Sequence, residues 1–282
     1  MLKKYLYILI MISLSACKPD LDYEIRGYTE KIIVEGWIAN GEYPRVYLSL
    51  NVPLSQPIDS ATILEKVIRT AKVTITDGIN TEILTSRSDR STFPPYVYKG
   101  TDFKGEAGKT YNLTVEYSGY KLTARTTIPF PADVQGFTYT PTKDNDSLKI
   151  LSVKIQMSEA EQMAYMIYSR KNKDAVFLKT ANVFNENLNL NGLQSFIVSP
   201  NPGSGMPSYE EKGYFLVGDT VTIKIKTIDS VATSFFKGLS GNAGLGKDIF
   251  VGHTQSLKSN ISEPGYGVWY GTSEKNIMLV IQ

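Results

Sequence analysis

Apolar and polar residues alternate along much of the chain, and this pattern restricts the fold to β structure. The clearest alternating segments are residues 46–52, 111–117 and 120–124. Ser118-Gly119 lies between the last two, and Asp77-Gly78 is predicted to be a second turn of the same kind. Glycine-containing two-residue turns between alternating strands are typical of antiparallel hairpins with one buried face. Roughly seven such strands in about 100 residues predict an immunoglobulin-like β-sandwich over residues 31–128.

The run Ile128-Pro129-Phe130-Pro131 interrupts the alternation. Proline has no N–H to donate to a sheet, so we place a domain boundary here. Residues 132–282 are predicted to form a second, antiparallel β domain. Its strand candidates are residues 151–157, 165–169, 176–180, 221–226, 267–270 and 277–281. The predicted fold class is therefore mainly β, a sandwich followed by a second β domain.

Two other segments of the second domain depart from the strand pattern. Ser230 can cap a short helix, because apolar residues then recur at four-residue spacing until Gly241. The segment 185–213 is rich in Asn, Gly, Pro and Ser, and we predict a long loop there. Asp144–Asp146 begins like a calcium loop but lacks its later Gly and Glu, so we predict a solvated hairpin turn.

The first residues have the pattern of a secretory signal. Lys3 and Lys4 precede an apolar run over residues 5–14, which is about half the ~20 residues that a membrane-spanning helix needs. Small residues then stand directly before Cys17. We predict a lipoprotein signal peptide over residues 1–16, lipidation of Cys17, and a tether over residues 17–30. The expected location is the outer membrane, with the periplasmic and external faces both open.

The residue inventory disfavours several kinds of chemistry. Cys17 is the only cysteine and His253 the only histidine, so disulfides, cysteine metal sites and Ser-His-Asp triads are not expected. The net charge is +2 without a basic stripe, which argues against nucleic-acid binding. We predict no cofactor, no metal and no enzymatic activity. The carboxylate pairs Glu159/Glu161 and Glu210/Glu211 keep a hydrolase as the least favoured alternative.

Aromatic residues supply the candidate ligand-binding positions, although packing between strands is the default role of aromatic rings in a β protein. Prolines separate Phe93 from Tyr96 and hold this cluster out of a sheet. Trp269 and Tyr270 add two large neighbouring rings. We predict ligand binding at these four residues, with a glycan or a peptide as the ligand.

A set of ordered segments resembles a known family. They are Cys17 followed by residues 33–38, 71–78, 108–115, 127–129, 218–221 and 259–269. The chain resembles the Bacteroidota lipoproteins of the domain-of-unknown-function family number 4249, over nearly the whole mature length. This resemblance implies an outer-membrane lipoprotein, often encoded beside TonB-dependent receptors, without assigned catalytic residues. The expected function is an accessory or docking subunit of a TonB-dependent nutrient transporter, and the alternative is a free-standing surface protein that binds a glycan or a peptide.

Overall fold

The computed structural model describes residues 29–53, 59–157, 163–172, 174, 176–184, 192–200, 213–243 and 258–282. Several predictions lie outside the described residues. They concern the signal segment and Cys17, most of the tether, the two carboxylate pairs and His253.

The N-terminal half contains eight strands and one short helix among the described residues. They are β1 (Ile32–Ala39), β2 (Arg45–Leu50), α1 (Ser60–Glu65), β3 (Lys72–Thr76), β4 (Thr81–Ile83), β5 (Thr85–Ser88), β6 (Tyr96–Lys99), β7 (Thr110–Tyr117) and β8 (Tyr120–Thr127). The described part of the C-terminal half contains β9 (Asp133–Pro141), β10 (Leu148–Met157), β11 (Ala164–Lys171), β12 (Leu178–Phe184), β13 (Gly192–Val198), β14 (Phe215–Leu216), β15 (Thr220–Ile228), α2 (Ser230–Ala243) and β16 (Tyr266–Val280).

A central sheet runs through both halves of the molecule. Its eight strands lie in the order β12-β11-β15-β16-β1-β2-β6-β5. Two four-stranded sheets pack on one side of it: β4-β3-β7-β8 under the N-terminal half, and β10 with β9, β13 and β14 under the C-terminal half. The chain is therefore mainly β and built as a sandwich, which confirms the predicted fold class.

Two hydrophobic cores fill the space between the central sheet and the small sheets. The first contains Val34, Val46 and Trp269 from the central sheet against residues of β3, β7 and β8. The second packs residues of β11 and β15 against the alternating apolar side chains of β10. Period-two alternation puts these apolar side chains on one face of each strand, and we call this side of the central sheet the core face.

Strand β16 connects the two halves. Its first part pairs with β1 in parallel register, and its second part pairs with β15 in antiparallel register. On the edge opposite β1, the side-chain amide of Asn260 accepts the N–H of Trp269 at 2.9 Å and donates to its carbonyl oxygen at 2.7 Å. The first core therefore includes Trp269, a residue from far beyond the proline-rich segment 128–131.

Buried polar groups lie where β16 passes the proline-rich segment. The Ser273 hydroxyl donates to the Pro129 carbonyl oxygen at 2.5 Å. The Thr126 hydroxyl donates to the carboxylate of Asp229, and it accepts the N–H of Gly271 at 2.5 Å. These bonds link β8, the start of α2 and β16, so they hold the two halves together at their junction.

Several local predictions need correction. Residues 185–213 were expected to form a loop, but β13 lies within them because β10 offers it a pairing edge. Residues 267–270 and 277–281 were expected to be separate strands, whereas β16 is continuous through the polar residues between them. The Asp77-Gly78 turn is a four-residue loop, and the Asp77 carboxylate accepts the N–H groups of Ile79 and Asn80.

The predicted helix is present, but its ends differ from the prediction. Asp229 caps it instead of Ser230, because its carboxylate accepts the N–H of Ala232 at 2.9 Å. The helix also continues past Gly241 to Ala243. The hairpin turns at Ser118-Gly119 and over Asp144–Asp146 are found as predicted. Within the described part of the chain, no helix has the length and apolar character needed to cross a membrane.

Candidate functional site

The side of the central sheet that is turned away from both small sheets carries a row of aromatic rings, and we call it the aromatic face. It arises from the same alternation that builds the cores, because successive side chains of a strand point to opposite faces. In β1, Val34 and Ile38 enter the core while Trp37 belongs to the cluster on the aromatic face. Parallel register sets Trp37 beside Tyr270 of β16.

Four rings form the row, from β2 across β1 and β16 to α2. The ring centroids of Tyr47 and Trp37 are 5.7 Å apart, with an angle of 23° between the ring planes. Those of Trp37 and Tyr270 are 6.2 Å apart, and the edge-to-face pair of Tyr270 and Phe236 is separated by 5.1 Å. Aromatic pairs at these distances stabilise one another, so the four rings hold each other in place. Tyr270 itself is buried, in a hydrophobic cluster that includes Val268 and Ile228.

A groove opens beside Trp37 and Tyr47. We call it the aromatic groove; its volume is about 290 Å³, and it is lined by Ile33, Glu35, Trp37, Tyr47, Leu48, Ser49, Val67, Thr92, Phe93, Pro94 and Tyr96. Trp37 and Tyr47 are half-buried, whereas Phe93 is 56% exposed. The groove therefore combines a rigid aromatic floor with an accessible ring on its rim.

Local hydrogen bonds shape the loop that forms the rim. The Asp89 carboxylate accepts the Ser91 hydroxyl at 2.6 Å and the Ser91 N–H at 3.0 Å, and these bonds lower the pKa of Asp89. The Asp89 N–H donates to the Pro95 carbonyl oxygen at 2.9 Å, which closes the loop. The guanidinium of Arg69 lies 4.1 Å from the centre of the Tyr96 ring and packs against it.

The structure brings together only some of the four predicted ligand-binding residues. Phe93 and Tyr96 both line the aromatic groove. Tyr270 is 7% exposed and reaches the groove only through its contact with Trp37.

Trp269 does not belong to this surface. It is fully buried in the first core, where its indole N–H donates to the Tyr111 carbonyl oxygen at 3.3 Å. A ligand on the protein surface cannot reach this ring, so Trp269 is removed from the predicted set. Trp269 is buried because consecutive residues of a strand point to opposite sides of the sheet. Tyr270 points to the aromatic face, so Trp269 points into the core.

Sequence reasoning missed three members of the site, namely Glu35, Trp37 and Tyr47. Tyr47 stood on the polar side of a predicted strand, and Trp37 followed an apolar run. A useful signal was available, because large aromatic residues at the polar-side positions of alternating strands indicate an exposed aromatic surface. Glu35 is exposed and supplies the carboxylate of the groove.

Among the described residues, no group of three or more His, Cys, Asp and Glu side chains could hold a metal ion.

Comparison with known proteins identifies the family. No curated protein matches the chain. The matching solved structures include a cytokine receptor complex at 8% identity and a TM-score of 0.26, covering 88% of this chain and 96% of that one. They also include the chicken CNTN1 FN1–FN3 domains at 10% identity and a TM-score of 0.30, covering 91% of this chain and 69% of that one. The fold assignment rests on the sheets described above. The family model described as "Domain of unknown function (DUF4249)" matches residues 17–277, and the chain belongs to this family.

Proposed function

We propose that this protein is a non-enzymatic outer-membrane lipoprotein that serves as an accessory or docking subunit of a TonB-dependent nutrient transporter. The aromatic groove is the observation that carries the proposal. Trp and Tyr are enriched among the residues that dominate binding at protein interfaces, especially where they border a pocket that a partner side chain can fill. Trp37, Tyr47 and Tyr96 meet this description.

The groove is also preorganised for binding. Trp37 stands on β1, which pairs with β16 on one edge and β2 on the other. Tyr47 stands on β2 and is stacked against Trp37. Side chains that are ordered before binding lose little conformational entropy in the complex. A partner therefore meets a surface that needs little rearrangement.

Sequence features support the membrane part of the proposal. In this proposal, lipid on Cys17 anchors the chain, and a segment with the length of residues 17–30 can span at most ~3.5 Å per residue. The folded body then stays close to the membrane surface, where a transporter is within reach. The chain also resembles a family whose members are often encoded beside TonB-dependent receptors, which supports the transporter part of the proposal. The inference of a non-enzymatic role rests on the single histidine and single cysteine.

Affinity purification of the full-length protein from detergent-extracted outer membranes tests this function. The wild type is compared with the double variant Trp37→Ala/Tyr47→Ala, and Tyr120→Ala is the matched control. Tyr120 is an aromatic residue that is 54% exposed on β8, away from the groove. We expect mass spectrometry to identify a TonB-dependent transporter with the wild type and the control, and about tenfold less of it with the double variant. Wild-type protein that carries no transporter contradicts the proposal.

A second function is favoured by the position of Glu35. A carboxylate beside stacked aromatic rings suits a sugar, because the rings contact its C–H face and the carboxylate accepts its hydroxyl groups. The alternative is therefore a free-standing glycan-binding lipoprotein, and a peptide ligand is the other possibility that the sequence left open. Glycan-array binding by the full-length protein in detergent, lost in Glu35→Gln and retained in Tyr120→Ala, supports the glycan function. Transporter co-purification that is unchanged by Glu35→Gln keeps the two functions distinguishable.

A further inference from the structure

A second cavity lies on the aromatic face, beyond Tyr270 as seen from the aromatic groove. We call it the lysine pocket; its volume is about 230 Å³, and it is lined by Met166, Tyr168, Lys179, Lys226, Ile228, Phe236 and Tyr270. Strands β11, β12, β15 and β16 and helix α2 all contribute to it. The proposed function does not use this cavity.

The charge of the pocket comes from two lysines. Lys226 is half-buried on β15, and its Nζ lies 3.5 Å from the Tyr270 hydroxyl and 5.4 Å from the centre of the Tyr270 ring. Lys179 is exposed on β12 at the pocket wall. Both are cations, and they add positive charge to a cavity whose other walls are aromatic or aliphatic.

The charge of Lys226 is only partly compensated by the protein. Its cross-strand neighbour Glu274 forms an ion pair with Lys224 at 3.7 Å instead. Among the described residues, no carboxylate oxygen lies within 4.0 Å of the Lys226 ammonium. Burial lowers the pKa of Lys226, and the more distant Glu274 and Glu42 oppose this effect. A partly desolvated cation without a close counter-ion favours the binding of an anion.

The walls indicate which kind of anion fits. Phe236 and Tyr270 meet edge to face, and Met166 and Ile228 add aliphatic surface. Such walls accept a planar or apolar body. Phosphate sites usually offer a fork of guanidinium donors or a set of backbone N–H groups. The lysine pocket offers ammonium and phenol groups, which suit one carboxylate.

We propose that the lysine pocket binds a small aromatic carboxylate, whose carboxylate contacts Lys226 and whose ring packs against Phe236 and Tyr270. Phenylacetate is the probe for this class of ligand. Its neutral analogue phenylacetamide has nearly the same shape and lacks the charge. Comparison of the two on the wild-type protein isolates the role of the charge without any mutation.

The experiment is calorimetric titration of the full-length protein in detergent with each probe. We expect phenylacetate to bind in roughly the millimolar range or tighter, and phenylacetamide to bind about tenfold more weakly. Lys226→Met is expected to weaken phenylacetate binding by about tenfold, and Lys226→Arg to retain most of it. Lys121→Met is the control, since Lys121 is an exposed lysine on β8, in another sheet and outside the pocket lining. It should change the affinity less than about twofold.

Three results would overturn the proposal. One is the absence of phenylacetate binding to the wild type up to roughly 10 mM. Another is equal affinity for the acid and the amide, which would show that the ammonium is not used. The third is displacement of phenylacetate by inorganic phosphate at similar concentration, which would assign the pocket to simple anions. Thermal unfolding of each variant confirms that the fold is intact before its affinity is interpreted.

Discussion

The two faces of the central sheet are made by the same strands but carry different side chains. On the core face, Val34, Val46 and Trp269 are closed off by the first small sheet. On the aromatic face, Trp37, Tyr47 and neighbouring rings border two cavities. The comparison shows that one alternating pattern provides both a buried core and an aromatic face with two cavities, because each strand contributes to both sides.

Replacing the two tryptophans separates the roles of the faces. Trp269→Ala removes a fully buried ring and its hydrogen bond to Tyr111, so we expect the free energy of unfolding to fall by about 3–5 kcal/mol. Trp37→Ala removes a half-buried ring, and the expected loss is about 1 kcal/mol. Urea denaturation followed by circular dichroism measures both. Equal losses would contradict the division between a stabilising face and a face that is proposed to bind a partner.

The next largest effect concerns the pairing of β1, which carries Trp37, with β16, which carries Trp269. Gly267 of β16 has φ +130°, and a Cβ atom there would lie 1.9 Å from the Val34 carbonyl oxygen. Gly267→Ala should therefore cost about 2–3 kcal/mol of folding stability through steric conflict and strain. Gly41→Ala is the control, because Gly41 also has a positive φ of 78° but open space around it. A thermal melt that shows equal losses for both variants would mean that β1 and β16 are not so closely paired.

A smaller effect is expected from pH at the junction of the two halves. Burial raises the pKa of Asp229 above its ordinary value of 3.8, and the hydrogen bond from Thr126 partly opposes the change. A raised pKa means that the folded state binds the proton more tightly than the unfolded state. The contribution to stability is therefore lost as the pH rises from 3.8 through the raised pKa.

The variant Asp229→Asn tests this pH dependence. Urea unfolding at a series of pH values should show that the wild type loses stability relative to this variant as the pH rises through that window. Asp59→Asn is the control, and its pH dependence of stability is expected to have the opposite sign. The reason is that hydrogen bonds from Thr62 lower the pKa of Asp59. Its carboxylate contributes stability that is lost as the pH falls. Parallel curves for the wild type and Asp229→Asn would disprove a raised pKa.

The smallest effect is predicted on the solvent side of the first small sheet. Lys72 and Glu116 are cross-strand partners, and their side chains form an ion pair at 3.0 Å. Both side chains are about half exposed, and an exposed pair contributes little. Lys72→Met should change the free energy of unfolding by at most about 0.5 kcal/mol. A loss above about 1 kcal/mol in urea titration would show that this surface matters as much as the aromatic face.

The sequence predicted the strands better than it predicted their partners. Hairpin strands such as β7 and β8 were found because alternation and the turn at Ser118-Gly119 are local. The extent of β16 was missed, since Gly271, Thr272 and Ser273 interrupt its apolar pattern. Gly271 and Ser273 are small because β16 meets Thr127 and Pro129 there at close range. The Thr272 hydroxyl instead donates to the Thr227 carbonyl oxygen.

The candidate site shows the same limit. Phe93 was found because prolines mark an irregular segment before β6. Tyr96 was found for a wrong reason: it was expected to lie outside a sheet, but it is the first residue of β6 and pairs with Ser88. Trp37 and Tyr47 were missed, because their importance depends on a groove that forms between β1, β2 and a distant loop. Trp269 was misassigned for a related reason. Alternation predicts that Trp269 and Tyr270 point to opposite sides of the sheet, but it does not predict which of these two side chains points into the core.

The sequence by itself determined the β class, the local hairpins and the break at residues 128–131, all of which follow from the preferences of neighbouring residues. It also predicted a lipid anchor at Cys17, which remains a prediction because that segment lies outside the described residues. Only the tertiary structure decided that Trp37 and Tyr270, from opposite ends of the chain, stand side by side. A period-two pattern gives each strand two faces, but pairing between distant strands decides which face is closed off by a second sheet and which carries the cavities.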